Sequence, residues 1–582
     1  MIRSSVNFVL ISASKSFNQF RTASNKSFHK KFGVLNKTIS NPKKITLFLG
    51  ALSCGGFAVF YITKPKKNNV ITLEELARHN SKETGVWVSF KGKVYDVTSF
   101  VDEHPGGDKI LLAAGSDVGP FWSVYAFHYE EHVLKILNKY YIGELEQLDQ
   151  SDEEESASVY DSDPKRSPLL SIVTKRPFNA ETSIPLINDN PITPTELFFV
   201  RNHLPVPTVD LKTYRLEITS PVVKTNNQSL KLSLKLEDIQ KNYPQKSLIS
   251  TIVCAGNRRR DMIKFDIEKA QMEDRSPYVK GLSWSGGAIS TAEWTGVPLV
   301  DLLAYHLLPV NQRTDYQALR NLLKNAGVCH IRFDGLDIDP TGGVFGSSLP
   351  IDLALDPNRE IIVAYEMNRK PLTRDHGFPL RIIIPGSIGA RQVKWLSQIT
   401  LSTDESESFW QQGDYKYVLP MADGHIPSTS QLPAILDYPV QSLICTPSDG
   451  HTIENTGTIT VSGYAFSGGG RGIISVRVST DNGKSWHEAE LTPVSPPAEG
   501  HPDNDLKNNS PAENRSMKQW AWTMWSAKIP IPEGSHEIEL VCSAVDSAYN
   551  TQPEECTASL NVRGLLTNCW HRIKIKISET KV

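Results

Sequence analysis

Hydrophobic and polar positions divide the chain into stretches of different kinds. Ile45 to Ile62 is almost wholly apolar, with Lys43 and Lys44 before it and Lys64, Lys66 and Lys67 after it. As a helix it would span about 27 Å at 1.5 Å per residue, marginally enough for a bilayer core. Thr72 with Glu75 three positions on forms a capping-box start for a helix over Leu73 to His79. Val86 to Phe90 and Val94 to Val97 read as strands joined at Lys91-Gly92-Lys93, a hairpin signal. Residues 147–167 are polar and acidic, and the composition predicts disorder with a root-mean-square span of roughly 25 Å. Leu248 to Val253, Ile361 to Tyr365 and Leu380 to Ile384 read as buried strands. Thr458 to Tyr464, Ile474 to Ser479, Trp520 to Ile529 and His536 to Ala544 are further strands, with Asp481-Asn482-Gly483 as a hairpin turn.

A chain of 582 residues is too long for one domain. The pattern predicts an α+β multidomain protein. Its expected parts are a targeting and sorting segment at 1–68, a small module at 69–146, a linker at 147–167, a central domain at 168–426, an immunoglobulin-like β-sandwich at 427–567 and a tail at 568–582. In the sandwich, Trp520, Trp522 and Trp525 are candidates for interface anchors or for core, and Glu499 to Ser516 reads as a polar insertion. The central part lacks a G-x-G-x-x-G fingerprint, so it does not read as a Rossmann dinucleotide domain.

The net charge of −2 gives no reason to expect a nucleic-acid partner. It conceals an asymmetry: no acidic residue precedes Glu74, and the serine-rich start carries Arg3, Lys15, Arg21, Lys26, Lys30 and Lys31. That is the composition of a mitochondrial transit peptide. The apolar stretch 45–62 is then either a permanent anchor or the second half of a cleaved bipartite signal that leads to the intermembrane space. Seven cysteines without a C-x-x-C pair argue against a disulfide scaffold and a zinc ribbon, although Cys542 and Cys556 could pair.

Chemistry concentrates at two places. In Phe100-Val101-Asp102-Glu103-His104-Pro105-Gly106-Gly107, Pro105 forces a break after His104, and the two glycines let backbone pack near a flat ligand. This run resembles the haem-binding core of cytochrome b5. The resemblance implies His104 as one axial ligand and His128, after the Phe121 to Ala126 segment, as the other, with His132 as its rival. Two imidazoles make a six-coordinate haem b that carries one electron and does no oxygen chemistry.

The second place is Thr251 to Arg260, where a predicted strand ends at Cys254 and a glycine turn leads into Arg258, Arg259 and Arg260. Arginine forks hold oxyanions, and a thiolate binds a soft metal. A buried structural cysteine with a solvated basic turn is the alternative. Cys254-Ala255-Gly256-Asn257-Arg258-Arg259 resembles the molybdenum-ligating segment of the sulfite oxidase family. Phe199 to His203, Gly335 to Asp337, Asp375 to Pro379, Val393 to Trp395 and Asp414 to Lys416 agree with that family in order.

The resemblance implies a molybdenum–molybdopterin cofactor in the central domain, with Cys254 on the metal. It assigns cofactor contacts to Phe199, Val200, Arg201, Asn202, His203, Asp337, His376, Arg381, Gln392, Val393 and Lys394. Histidine often stands in the family where this chain has Gln392. For Asp337 an Asx-type turn is the alternative. The substrate pocket is implied at Arg201, Arg259 and Tyr415, with Lys280 and Trp284 beside them and Arg471 brought in on the Gly468-Gly469-Gly470 loop.

The family further implies that sulfite and water are the substrates and cytochrome c the electron acceptor. A homodimer through the sandwich and residence in the mitochondrial intermembrane space are also implied, with membrane contact only through the N-terminal segment. A nitrate reductase would place the haem module after the molybdenum domain and add flavin and nicotinamide domains, and this order differs. A purely haem-based electron carrier would not need Cys254 and its arginines.

Overall fold

The computed structural model describes residues 70–578, apart from 106–109, 112, 125, 147–158, 226, 418–428, 430–431 and 495–517. The expected targeting segment, the stretch 45–62, Gly106, Gly107, most of the acidic linker and the polar insertion lie outside the described residues. Among the described residues no helix is long and apolar enough to cross a membrane.

The first module forms as its local signals dictate. Thr72 caps the helix Leu73–Arg78 by accepting from the Glu75 amide at 3.1 Å. The strands Gly85–Phe90 and Lys93–Asp96 pair antiparallel, with Phe90 opposite Lys93. Lys91 and Gly92 both take positive φ, 49° and 74°, as a two-residue turn between twisted strands requires. Val86, Val88, Val101 and Trp122 are among the residues of its small core.

The central region carries two five-stranded sheets. One runs Gln228–Leu234, Leu216–Thr225, Leu396–Ser402, His330–Ile338, Val344–Pro350. The other runs Lys246–Val253, Ile289–Pro298, Ile362–Met367, Lys370–Pro371, with Arg381–Ile383 paired to Ile362–Met367. The C-terminal region is a two-sheet sandwich of four and five strands, the immunoglobulin-like arrangement expected from the pattern. Asn482 and Gly483 turn at φ 63° and 83°, as the hairpin signal predicts.

Several expectations are corrected. The tail expected at 568–582 contains the strand His571–Ser578, which pairs with Glu537–Asp546 and Thr452–Glu454 inside the sandwich. Its alternation of buried isoleucines with exposed lysines marks it as a strand. The end of the expected linker is also packed. Tyr160 is buried, Asp163 accepts from the Val206 amide, and Arg166 forks onto Asp375 at 2.8 and 2.9 Å. Trp520 and Trp522 are buried against the central region, donating to Glu360 and to the Pro191 carbonyl, while Trp525 lies in the sandwich core. Cys542 does not pair with Cys556, since all described cysteines are free thiols.

Candidate active site and haem site

The strand Lys246–Val253 pairs along its whole length with Ile289–Pro298, which fixes where the chain emerges at Cys254. The Cys254 amide donates to the Ala288 carbonyl at 2.9 Å and its own carbonyl accepts from Asn257. Arg258 follows in the left-handed region, φ 62°, and the helix Arg259–Met272 begins. Asn257 binds the Gln441 side chain and the Tyr464 hydroxyl, so the turn is locked to the sandwich.

Of the three arginines only Arg260 is exposed; Arg258 and Arg259 are buried rather than forming a solvated basic turn. The Arg258 guanidinium is fully buried, paired with Asp261 at 2.8 Å and donating to the carbonyls of Ser442, Cys569 and Trp570. Burial alone would loosen the proton on Arg258, but Asp261 outweighs that cost and holds its pKa above the ordinary arginine value. Arg259 donates to the carbonyls of Arg563, Gly564 and Leu282. Its side chain lies among three glycines, since a Cβ on Gly256, Gly281 or Gly564 would fall 2.6, 3.0 or 2.5 Å from its atoms. Burial lowers Arg259 to about 10, with Cys254 and Tyr415 as the neighbours that oppose the shift.

One cavity collects most of the expected residues. Phe199, Arg201, His203, Cys254, Asp337, His376, Arg381, Gln392, Lys394 and Tyr415 all line it. Lys394 donates to Asn202 Oδ1 at 2.5 Å and to the Asp375 carbonyl at 2.7 Å. Arg381 donates to the carbonyls of His376 and Gln392. Burial lowers Lys394 to about 7 and Arg381 to about 9, because taking a cation out of water favours its neutral form. Burial likewise pushes Asp337 up to about 7 and His376 down to about 4. The Asx turn belongs to Asp339, which accepts from the amides of Thr341 and Gly343. The side chain of Asp337 faces the cavity instead. Tyr415, pushed up to about 12 chiefly by burial, keeps its proton and lies 2.9 Å from His203 Nε2.

Other expected residues are placed elsewhere. Val200 packs with Leu170, Phe178 and Ala180, Val393 is in the main core, and Trp284 is buried in the apolar cluster that contains Cys254; none of the three lines the cavity. The Asn202 side chain braces Asp375 and Lys394, and the Gln392 amide is taken up by the Ser387 carbonyl and the Ile384 amide. Arg471 does not complete the pocket. It is paired with Asp546 at 3.2 Å and Asp437 at 3.8 Å, and its glycine loop is fixed by amide bonds to Tyr438 and Gly386. Lys280 points to the haem module, donating to the Asp102 carbonyl at 2.6 Å. Sequence reasoning missed Arg563, which pairs with Asp414 and whose carbonyl holds Arg259, and Arg391, which donates to the carbonyls of Ile435 and Tyr415. Both act through contacts distant in sequence, so no local signal marks them.

Two observations test the fit of the implied groups. In the cavity, Arg381 Nε and Asp337 Oδ1 are buried with no hydrogen-bond partner. A buried polar atom left unpaired costs about 1–3 kcal/mol, so these atoms fit a ligand that carries both donors and acceptors. Buried cations there suit an anionic one. In the first module, the rings of His104 and His128 lie near each other, with centroids 6.1 Å apart and planes 20° apart. That spacing would let the two imidazoles hold one haem iron between them. His132, the other candidate, is exposed and sits beside Glu130.

Residues 203–410 match the family described as "Oxidoreductase molybdopterin binding domain", 432–578 "Mo-co oxidoreductase dimerisation domain" and 72–146 "Cytochrome b5-like Heme/Steroid binding domain". The chain is 43% identical to "Sulfite oxidase, mitochondrial" of Homo sapiens, over 88% of this chain and 85% of that one. It is 41% identical to "Sulfite oxidase" of Gallus gallus, over 86% and 98%. Among solved structures, the sulfane dehydrogenase SoxCD of Paracoccus pantotrophus shares the fold, with a TM-score of 0.50 at 23% identity, over 72% of this chain and 87% of that one. A thiol-bearing cationic cavity, a close histidine pair and these relatives together place the chain in the sulfite oxidase family, as a molybdenum-dependent oxidoreductase with molybdopterin-binding, haem-binding and dimerisation domains.

Proposed function

We propose that this chain oxidises sulfite with water to sulfate and passes the two electrons singly through haem b to cytochrome c. The observation that carries this reading is one cavity joining Cys254 to the cations Arg201, Arg381 and Lys394, in a chain that also brings the His104 and His128 rings within 6.1 Å of each other. When bound, the molybdenum–molybdopterin group supplies two-electron chemistry and the haem a one-electron relay.

The chain's own residues bind and orient. Cys254 is the metal's thiolate ligand. His376, Arg381, Lys394, Asp337 and His203 hold the pterin and phosphate, with Asn202 bracing Lys394. His376, lowered to about 4 by burial, is neutral at pH 7 and donates from Nε2 to the Thr195 carbonyl at 3.1 Å. Arg201, which lines the cavity, offers a planar fork to the oxygens of sulfite, better matched to them than an ammonium group. Arg259 and Arg563 lie outside the lining, tied to carbonyls and to Asp414, and add to the positive field from there. Tyr415 keeps its hydroxyl proton and can donate it as a hydrogen bond to the substrate. Apolar walls from Phe198, Phe199 and Phe345 exclude bulk water and strengthen these contacts.

The location that fits is the mitochondrion, in the intermembrane space, with residues 1–68 as the sorting segment and the only membrane contact. The sandwich joins two copies. The test is the visible spectrum of the purified protein without oxygen, before and after sulfite. Conversion of an oxidised b-type spectrum to the reduced one supports the reading. Reduction by dithionite but not by sulfite, in a sample with a full molybdenum complement, overturns it.

A further inference from the structure

Lys280 was expected beside the substrate, and its surroundings give it a different task. Its amide donates to the Val562 carbonyl at 2.9 Å, one residue before the arginine that pairs with Asp414. The next residue, Gly281, takes φ 121° and lies directly against the Arg259 guanidinium. Lys280 is therefore anchored beside Arg259, yet its side chain does not line the cavity. It donates instead to the Asp102 carbonyl at 2.6 Å and lies 3.4 Å from the His104 carbonyl.

Those carbonyls belong to the turn that presents the haem ligand. The amides of Glu103 and His104 close short turns onto Phe100 and Val101. Pro105 has no N–H, so the amide that would close the next turn onto the Asp102 carbonyl is missing. The Asp102 carboxylate is already paired within its own module, to Lys82 at 2.9 Å. What it leaves for Lys280 is the backbone. An ammonium on a flexible stem, making one short charge-assisted bond at an exposed contact, can form and release readily.

We infer that Lys280 is a docking residue that holds the His104 turn of the haem module against the segment packed on Arg259, next to the cofactor cavity, during electron transfer. The inference rests on the proposed function. Sulfite and water give sulfate, two protons and two electrons; the haem, when bound, would supply a one-electron relay that hands the electrons one at a time to cytochrome c. Lys280 enters no bond change. It acts by raising the fraction of molecules in which the histidine-bearing turn is docked.

The test uses the full-length protein loaded with both cofactors, as Lys280→Ala and Lys280→Arg beside the parent. Each is mixed with saturating sulfite without oxygen, and haem reduction is followed in stopped flow at low and high ionic strength. Lys280→Ala is expected to reduce its haem roughly tenfold more slowly at low salt, the scale of one lost charge-assisted bond. Lys280→Arg should restore most of the rate, high salt should narrow the gap, and KM for sulfite should stay unchanged. Equal haem-reduction rates in parent and Lys280→Ala at low salt overturn the inference. So does a raised KM with an unchanged rate at saturation, which would return Lys280 to substrate capture. If sulfite fails to reduce the haem even in the parent, the functional reading itself falls, and the inference with it.

Discussion

The proposed haem ligands, His104 and His128, come from one small module, and the turn and short helices that carry them form from nearby residues. The cavity around Cys254 instead draws its walls from segments at 198–203, 252–255, 337–345, 376–395 and 415. His104 and His128 are partly exposed, while Cys254, Arg381 and Tyr415 are more than nine-tenths buried. A one-electron relay must meet partners at its edge. A site that binds a small oxyanion gains from a dry, fixed field. The two sites should therefore fail independently when cut.

The largest expected effect is at Cys254. Cys254→Ser should abolish sulfite-dependent haem reduction while leaving the dithionite-reduced spectrum intact, and near-normal turnover would refute the metal assignment. The converse cut is His128→Ala. It should remove the six-coordinate haem spectrum with molybdenum content unchanged, as read by metal analysis on the same sample. Loss of both groups together would show that the two sites are not separate.

A smaller effect sharpens the boundary of the cavity. Arg471 is tied to Asp546, which is fully buried, and to Asp437. Arg471→Ala should lower unfolding stability by about 1–3 kcal/mol, less than a wholly buried pair because Arg471 is part-exposed. KM for sulfite should not move; an increase of tenfold would put Arg471 back in the pocket.

The smallest effect lies in acid. Burial lowers His571 from 6.5 to about 4, and its Nδ1 accepts from the Ile444 amide at 3.2 Å. Between those values the unfolded chain binds a proton that the folded chain refuses, so stability falls as pH drops from about 6.5 towards 4 and levels off below. This one group should cost on the order of 2 kcal/mol at pH 5. Denaturant midpoints at pH 7.5 and pH 5 should differ less in His571→Gln than in the parent.

Legibility followed the same division as the two sites. The Thr72 cap, the Lys91-Gly92 turn and the histidine before Pro105 were readable because the residues that interact are neighbours in the chain. The cysteine at the end of its strand was readable from the apolar run before it, and the family resemblance identified most of the cavity. Arg471 and Lys280 were misplaced because a lone cation carries no record of which distant partner it meets. Arg563 and Arg391 went unseen for the same reason.

By itself the sequence determined the order of modules, the local caps and turns, the alternation that makes the sandwich, and the residue types able to hold a haem and a soft metal. Only the tertiary structure decided which cations face the cavity and which are spent on carbonyls and carboxylates elsewhere. It also decided that the strand at His571–Ser578 belongs to the sandwich and that Arg166 is locked to Asp375. The physical reason is that the charge of a side chain is local, whereas its burial and its partners are set by segments that meet only when the sheets pack.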